Sequence, residues 1–129
     1  MADLFILALL GHIVGDYLLQ PYKMAMKKSS SNWVCLVHVT IYTTAVCTMM
    51  STHDPVVIMS IFIPHFVIDR WSLGEKWLKM IGGRTIKEAT KKTGVEREFA
   101  IAFYAPVYII VDNGLHLLCI AGTIKFLMM

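Results

Sequence analysis

Four stretches of this chain are too apolar to face water: Leu4 to about Leu19, Trp33 to about Met50, the run after Asp54-Pro55 to about Leu73, and about Phe99 to Met129. A helix needs about 20 residues to cross a hydrocarbon core about 30 Å thick. The first stretch is short for that, and Tyr17, Gln20 and Tyr22 extend it at the interface. Helices are therefore expected over about 4–22, 32–50, 55–81 and 97–127. Composition agrees: 57% of the 129 residues are apolar and 16% charged, against about 45–50% and about a quarter in a soluble domain. That balance excludes a disordered chain and a nucleic-acid-binding domain with a basic face. The expected fold class is all-α: a four-transmembrane-helix bundle, one integral membrane domain over 1–129, with the lipid bilayer as its surroundings.

Local signals punctuate these segments. Pro21 follows the first, Ser29-Ser30-Ser31-Asn32 offers N-caps to the second, and Asp54-Pro55 is a cap followed by a proline at the first helical position. Gly82-Gly83 closes the third after an amphipathic tail from Trp71 to Ile81. Residues 84–98 are polar and read as a loop or a short surface helix between the third and fourth helices. The first segment has no basic leader and no small-residue cleavage site, so it reads as retained. Cys35, Cys47 and Cys119 lie in apolar segments and read as packing residues, not as a disulfide framework.

Basic residues set the expected orientation. The first connection holds Lys23, Lys27 and Lys28; the third holds Lys76, Lys79, Arg84, Lys87, Lys91, Lys92 and Arg97; the second, Ser51 to Pro55, holds none. Positive-inside counting places the first and third connections in the cytoplasm and both termini outside it. Trp33, Trp71, Trp77, Tyr17 and Tyr22 fall near the same interface, as aromatic belts do.

Ionisable side chains inside membrane segments are costly and mark functional sites. His12 and Asp16 are spaced i, i+4 in the first segment, with Gln20 one turn further; His65 and Asp69 repeat the spacing in the third, and Asp112 and His116 in the fourth. The second segment carries His38. An i, i+4 pair places both side chains over one patch of helix surface. Imidazoles and carboxylates together suit zinc, with iron or manganese as the other candidates. The expected metal-ligating residues are His12, Asp16, His38, His65, Asp69, Asp112 and His116. They serve two ions, or one ion with outer carboxylates orienting histidines. A metal-free His–Asp network that packs the bundle is the alternative. Gly11 and Gly15 permit a close helix contact beside His12, within the bundle or between two copies in a homo-oligomer. Pro64, directly before His65, and Pro106 free the carbonyls of Ser60 and Ala102 and are expected to kink their helices.

Gly11-His12-x3-Asp16-x3-Gln20, Lys27-Lys28, His38-x3-Tyr42, His65-x2-Ile68-Asp69 and Asp112-x3-His116 together resemble the small bacterial and phage membrane proteins of the domain-of-unknown-function 3307 family. The resemblance covers nearly the whole chain. It departs at Asn113, where the family pattern has Asp-Gln, and at Trp71, near a position that is often basic. It implies a multi-pass protein of the bacterial inner (cytoplasmic) membrane and no established activity. A looser similarity is to membrane-bound metal-dependent hydrolases, which also carry histidines and carboxylates on membrane helices.

The expected function is a metal-dependent hydrolase-like enzyme acting on a phosphoester or amphiphilic substrate at the cytoplasmic leaflet. His12 and Asp16 are its catalytic acid/base candidates, and Lys23, Lys27, Lys28 and Arg70 could hold an anionic head group. The alternatives are an oligomeric transporter of metal ions, protons or a small solute, and a non-enzymatic phage or bacterial membrane factor.

Overall fold

The computed structural model describes residues 2–129, and these form seven α-helices with no strand among the described residues. They are α1 (Ala2–Ile13), α2 (Tyr22–Lys27), α3 (Asn32–Met49), α4 (Pro55–Arg70), α5 (Leu73–Gly82), α6 (Ile86–Thr90) and α7 (Gly94–Leu127), with a π-helical turn, Val14–Leu18, continuing α1. By length and composition, α3 and α7 can each cross a bilayer, and α4 with α5 makes a third span if the bent pair counts as one. Many large apolar residues, among them Trp33, Ile110, Leu118 and Phe126, lie on the outside, which suits a lipid surrounding and not water.

The helix starts follow the local signals. Ser31 Oγ accepts from the Val34 amide at 3.3 Å and opens α3. Asp54 Oδ1 accepts from the Val56 amide at 2.8 Å, with Pro55 at the first helical position of α4. Removing a side-chain cap of this kind costs about 1 kcal/mol. Asp54→Ala is therefore expected to lower unfolding stability by about that amount and to leave the distant His/Asp cluster intact, read by thermal denaturation in detergent.

Two expected helices are interrupted. The helix over 4–22 ends early: the Leu19 amide bonds the Val14 carbonyl at 2.9 Å in a wide i to i+5 turn. Pro21 then disfavours helical backbone at Gln20, and a separate α2 follows. The helix over 55–81 is divided into α4 and α5, bent by 56°. The break lies at Ser72, whose φ of 48° is left-handed, a conformation that side-chain-bearing residues rarely adopt. Within 84–98 the chain forms α6 and begins α7 at Gly94, three residues before the expected start.

Helices α1, α3, α4 and α7 share one apolar core. Ala8, Tyr42, Val46, Cys47, Met50, Val57, Ile61, Ile120 and Ile124 are all buried in it. Gly11 and Gly15 bring α1 against α3. A Cβ at Gly11 would lie 2.6 Å from Val46 Cα, and one at Gly15 would lie 2.9 Å from Tyr42 Cα. The Gly-x3-Gly face is thus used within the chain. Beyond Tyr42, on these four helices and the π turn, the apolar core gives way to a polar cluster.

Candidate metal centre

The i, i+4 pairs on α4 and α7 each turn two side chains inward. His65 and Asp69 come from α4, Asp112 and His116 from α7, and His38 from the middle of α3. Asp16 sits in the π turn. Such turns widen a helix locally and recur at functional sites. His12, Asp16, His38, His65, Asp69 and His116 are buried, and Asp112 is partly so.

Four donor atoms converge. His38 Nε2 lies 3.1 Å from Asp16 Oδ1 and 3.1 Å from Asp69 Oδ2. His65 Nε2 lies 3.5 Å and 3.0 Å from the same two oxygens. The two Nε2 atoms are 3.1 Å apart. A tetrahedron whose corners lie about 2.0–2.1 Å from a central zinc ion has edges of about 3.3–3.4 Å. The five separations fall around that edge length, so the donor set could hold one ion of this size. Asp16 Oδ1 is buried with no hydrogen bond among the described residues, and Asp69 Oδ2, also buried, has Lys28 Nζ at 2.9 Å as its one cationic neighbour. Buried polar atoms are normally satisfied, and an ion between these oxygens would satisfy Asp16 Oδ1. Metal-bound histidines usually donate from their second nitrogen; here Nδ1 of His38 and of His65 has no partner among the described residues.

Asp69 joins this set to a second one. Its Oδ1 lies 3.3 Å from His116 Nε2, which is also 3.6 Å from Asp112 Oδ2. Asp69, Asp112 and His116 thus make a second group with metal-ligand spacing. His116 stacks on His65 with ring centroids 4.0 Å apart, and Tyr42 packs against His65 at 3.6 Å.

His12 stands beside the donor atoms. Its Nε2 donates to Asn113 Oδ1 at 2.6 Å, and its Nδ1 lies 2.9 Å from the Tyr42 hydroxyl and 3.5 Å from Asp16 Oδ2. Asn113 Nδ2 donates in turn to the Ile109 carbonyl at 2.6 Å and to the Tyr17 hydroxyl. Both His12 nitrogens are therefore engaged by neighbours, and Gln20, outside the helix, donates to the Asp16 carbonyl at 2.9 Å.

Three residues outside the expected set touch the cluster. Lys28 Nζ lies 2.9 Å from Asp69 Oδ2. Burial alone would favour its neutral form; Asp69 and Asp16 outweigh that and hold the Lys28 ammonium above the ordinary lysine value. Tyr42 had a signal in sequence, the i, i+4 spacing from His38. Asn113 had a weaker one, its place beside Asp112. The family resemblance sets Lys27 and Lys28 apart from Lys23, and nothing in sequence separates those two from each other. A cavity of about 180 Å³, lined by Asp16, Gln20, Lys28, Tyr108 and Asp112 among others, adjoins the cluster. Three carboxylates, Asp16, Asp69 and Asp112, face one fixed cation, Lys28, and buried charge is costly unless balanced. A divalent ion would balance them.

Fold and site together define an all-helical protein with helices apolar enough for a membrane and a buried His/Asp cluster able to hold a metal ion. Residues 4–129 match a family described as a protein of unknown function, DUF3307, and the chain belongs to that family. No curated protein and no solved structure matches the chain.

Proposed function

We propose that this protein is an integral membrane metalloenzyme. In this reading the first segment, α3, the bent α4–α5 pair and α7 form a four-span bundle in a bacterial inner membrane. Asp16, His38, His65 and Asp69 hold one divalent transition-metal ion. Zinc is favoured by the two-nitrogen, two-oxygen donor set, with iron and manganese next. The observation that carries the reading is the set of five donor separations between 3.0 and 3.5 Å. Asp112 and His116 complete the charge around Asp69.

The reaction proposed is hydrolysis of a phosphoester or amphiphile at the cytoplasmic leaflet. A bound ion would supply a water of lowered pKa and polarise the substrate. His12, held by Tyr42 and Asn113 against Asp16, is placed to carry a proton. The cavity beside Asp16, Lys28 and Asp112 is the supported entry. Lys28 is the basic residue placed to meet an anionic group there.

Turnover tests this directly. Protein in mixed micelles with added zinc is expected to cleave an aryl phosphodiester or a phospholipid, and His65→Ala to lower the rate by at least roughly a hundredfold. Metal-loaded protein that cleaves neither, yet carries metal ions across sealed vesicles, would overturn the enzyme reading in favour of a transporter.

A further inference from the structure

The bend between α4 and α5 builds a second polar feature, separate from the His/Asp cluster. Arg70, the last residue of α4, donates from Nε to Asn32 Oδ1 and from Nη1 to the Ser29 carbonyl, both at 2.5 Å. These bonds fix the guanidinium plane and use two of its five donors. Arg70 also borders a depression of about 420 Å³ that is lined by Ser72, Glu75, Lys76 and Lys79 among others. Three cations face one carboxylate there, so the depression favours an anion.

Directly beside it runs an apolar groove of about 470 Å³ between α5, α4 and α7, lined by Ile68, Leu73, Trp77, Met80 and Leu118 among others. Lys76 lines both depressions, as a lysine does when its stem lies on apolar surface and its ammonium stays with polar groups. Helix α5 buries Gly74 and Leu78 and exposes Trp77, Met80 and Ile81 alongside Lys76 and Lys79. That distribution belongs to a helix lying in a membrane interface. The 56° bend turns α5 out of the line of α4 and leaves the cationic depression and the apolar groove side by side.

A cationic pocket joined edge to edge with an apolar groove matches a ligand with a charged head and an apolar chain. We propose that the α4–α5 bend binds one anionic phospholipid, its phosphate among Arg70, Lys76 and Lys79 and one acyl chain in the groove along Trp77 and Leu118. The site rests on the membrane reading above and not on the metal or the hydrolysis. Basic residues at the surface attract anionic lipid in general; the pre-set Arg70 and the adjoining groove add a single, saturable place for it.

The test uses the full-length Trp33→Phe protein in bilayer discs of phosphatidylcholine, so that fluorescence reports Trp71 and Trp77. Phosphatidylglycerol with brominated chains is expected to quench at a mole fraction roughly tenfold lower than brominated phosphatidylcholine does, and to saturate. Lys76→Gln with Lys79→Gln, both at exposed positions where substitutions are expected to change stability by no more than about 0.5 kcal/mol each, should erase that preference. Equal quenching by both lipids, or an unchanged preference in the double variant, overturns the proposal. Displacement by millimolar glycerol phosphate would also overturn it, in favour of a soluble phosphoester. Protein stripped from native membranes by alkaline carbonate would refute the membrane reading and this site together, whereas failure in the discs alone refutes only the site.

Discussion

Protein purified in detergent without chelators is expected to carry about one equivalent of transition metal, the stoichiometry of a single four-donor site. The two histidine Nε2 atoms of His38 and His65 lie 3.1 Å apart and 3.0–3.5 Å from Asp16 Oδ1 and Asp69 Oδ2, and Asp16 Oδ1 has no hydrogen bond among the described residues. His38→Gln and His65→Ala should each reduce the content to less than about a tenth of an equivalent, since each removes one of four ligands. Asp112→Ala removes a group that lies outside the four-donor set and 3.6 Å from His116 Nε2, so a loss of affinity of roughly tenfold is expected. Asp69→Asn should do more than empty the site. It leaves Lys28, which is partly buried, beside a neutral amide, and breaking a pair with one buried partner costs up to about 3 kcal/mol. His38→Gln strands no lysine and keeps the measurement readable if Asp69→Asn fails to fold. Acidification should release metal, because protons compete for the same imidazoles and carboxylates. Wild-type protein with less than about a tenth of an equivalent of any transition metal would leave the metal-free His–Asp network as the correct description.

The second large effect is steric. Gly11→Ala and Gly15→Ala each place a methyl where α1 and its π turn meet α3, 2.6 Å from Val46 Cα in one case and 2.9 Å from Tyr42 Cα in the other. Backbone cannot swing aside as a side-chain tip can, so the helices must separate. Overpacking of this kind costs about 1–3 kcal/mol. Because Asp16 follows on the π turn that continues α1, both variants should also loosen metal binding. Gly114→Ala and Gly122→Ala are the controls: a Cβ at either position meets nothing within 4 Å. They are expected to be neutral or stabilising by up to about 1 kcal/mol, the helix-propensity gain of alanine over glycine. Equal behaviour of all four variants in thermal unfolding would refute the α1–α3 contact. A change in oligomeric state without loss of stability in Gly11→Ala would assign the glycine face to a second copy.

Much of the architecture was legible because it is local. Asp54-Pro55 and Ser31-Asn32 mark helix starts through bonds spanning two or three residues, and such bonds depend on little beyond the neighbouring sequence. The apolar stretches announced helices, and the i, i+4 spacing of His65 with Asp69 and of Asp112 with His116 put each pair on one face. The interruptions were less visible. Pro21 pointed to the end of the first helix, but the π turn before it, which sets where Asp16 points, has no local signature. Ser72 carries a left-handed backbone that its residue type does not announce, so the bend to α5 stayed hidden within one long amphipathic run.

The sequence by itself therefore determined an all-helical chain with apolar segments and the identity of seven ionisable groups able to face inward. Only the tertiary structure decided how those groups divide. It placed Asp16, His38, His65 and Asp69 around one point, gave His12 to Tyr42 and Asn113, and singled out Lys28 from its neighbouring lysines as the partner of Asp69. The reason is distance along the chain. Helix caps and helix faces arise from residues a few positions apart, whereas the His12–Asn113 bond joins residues 101 apart and the His38–His65 contact residues 27 apart. Contacts of that kind exist only after the helices pack, and close packing at Gly11 and Gly15 fixes where α1, and with it Asp16, meets α3.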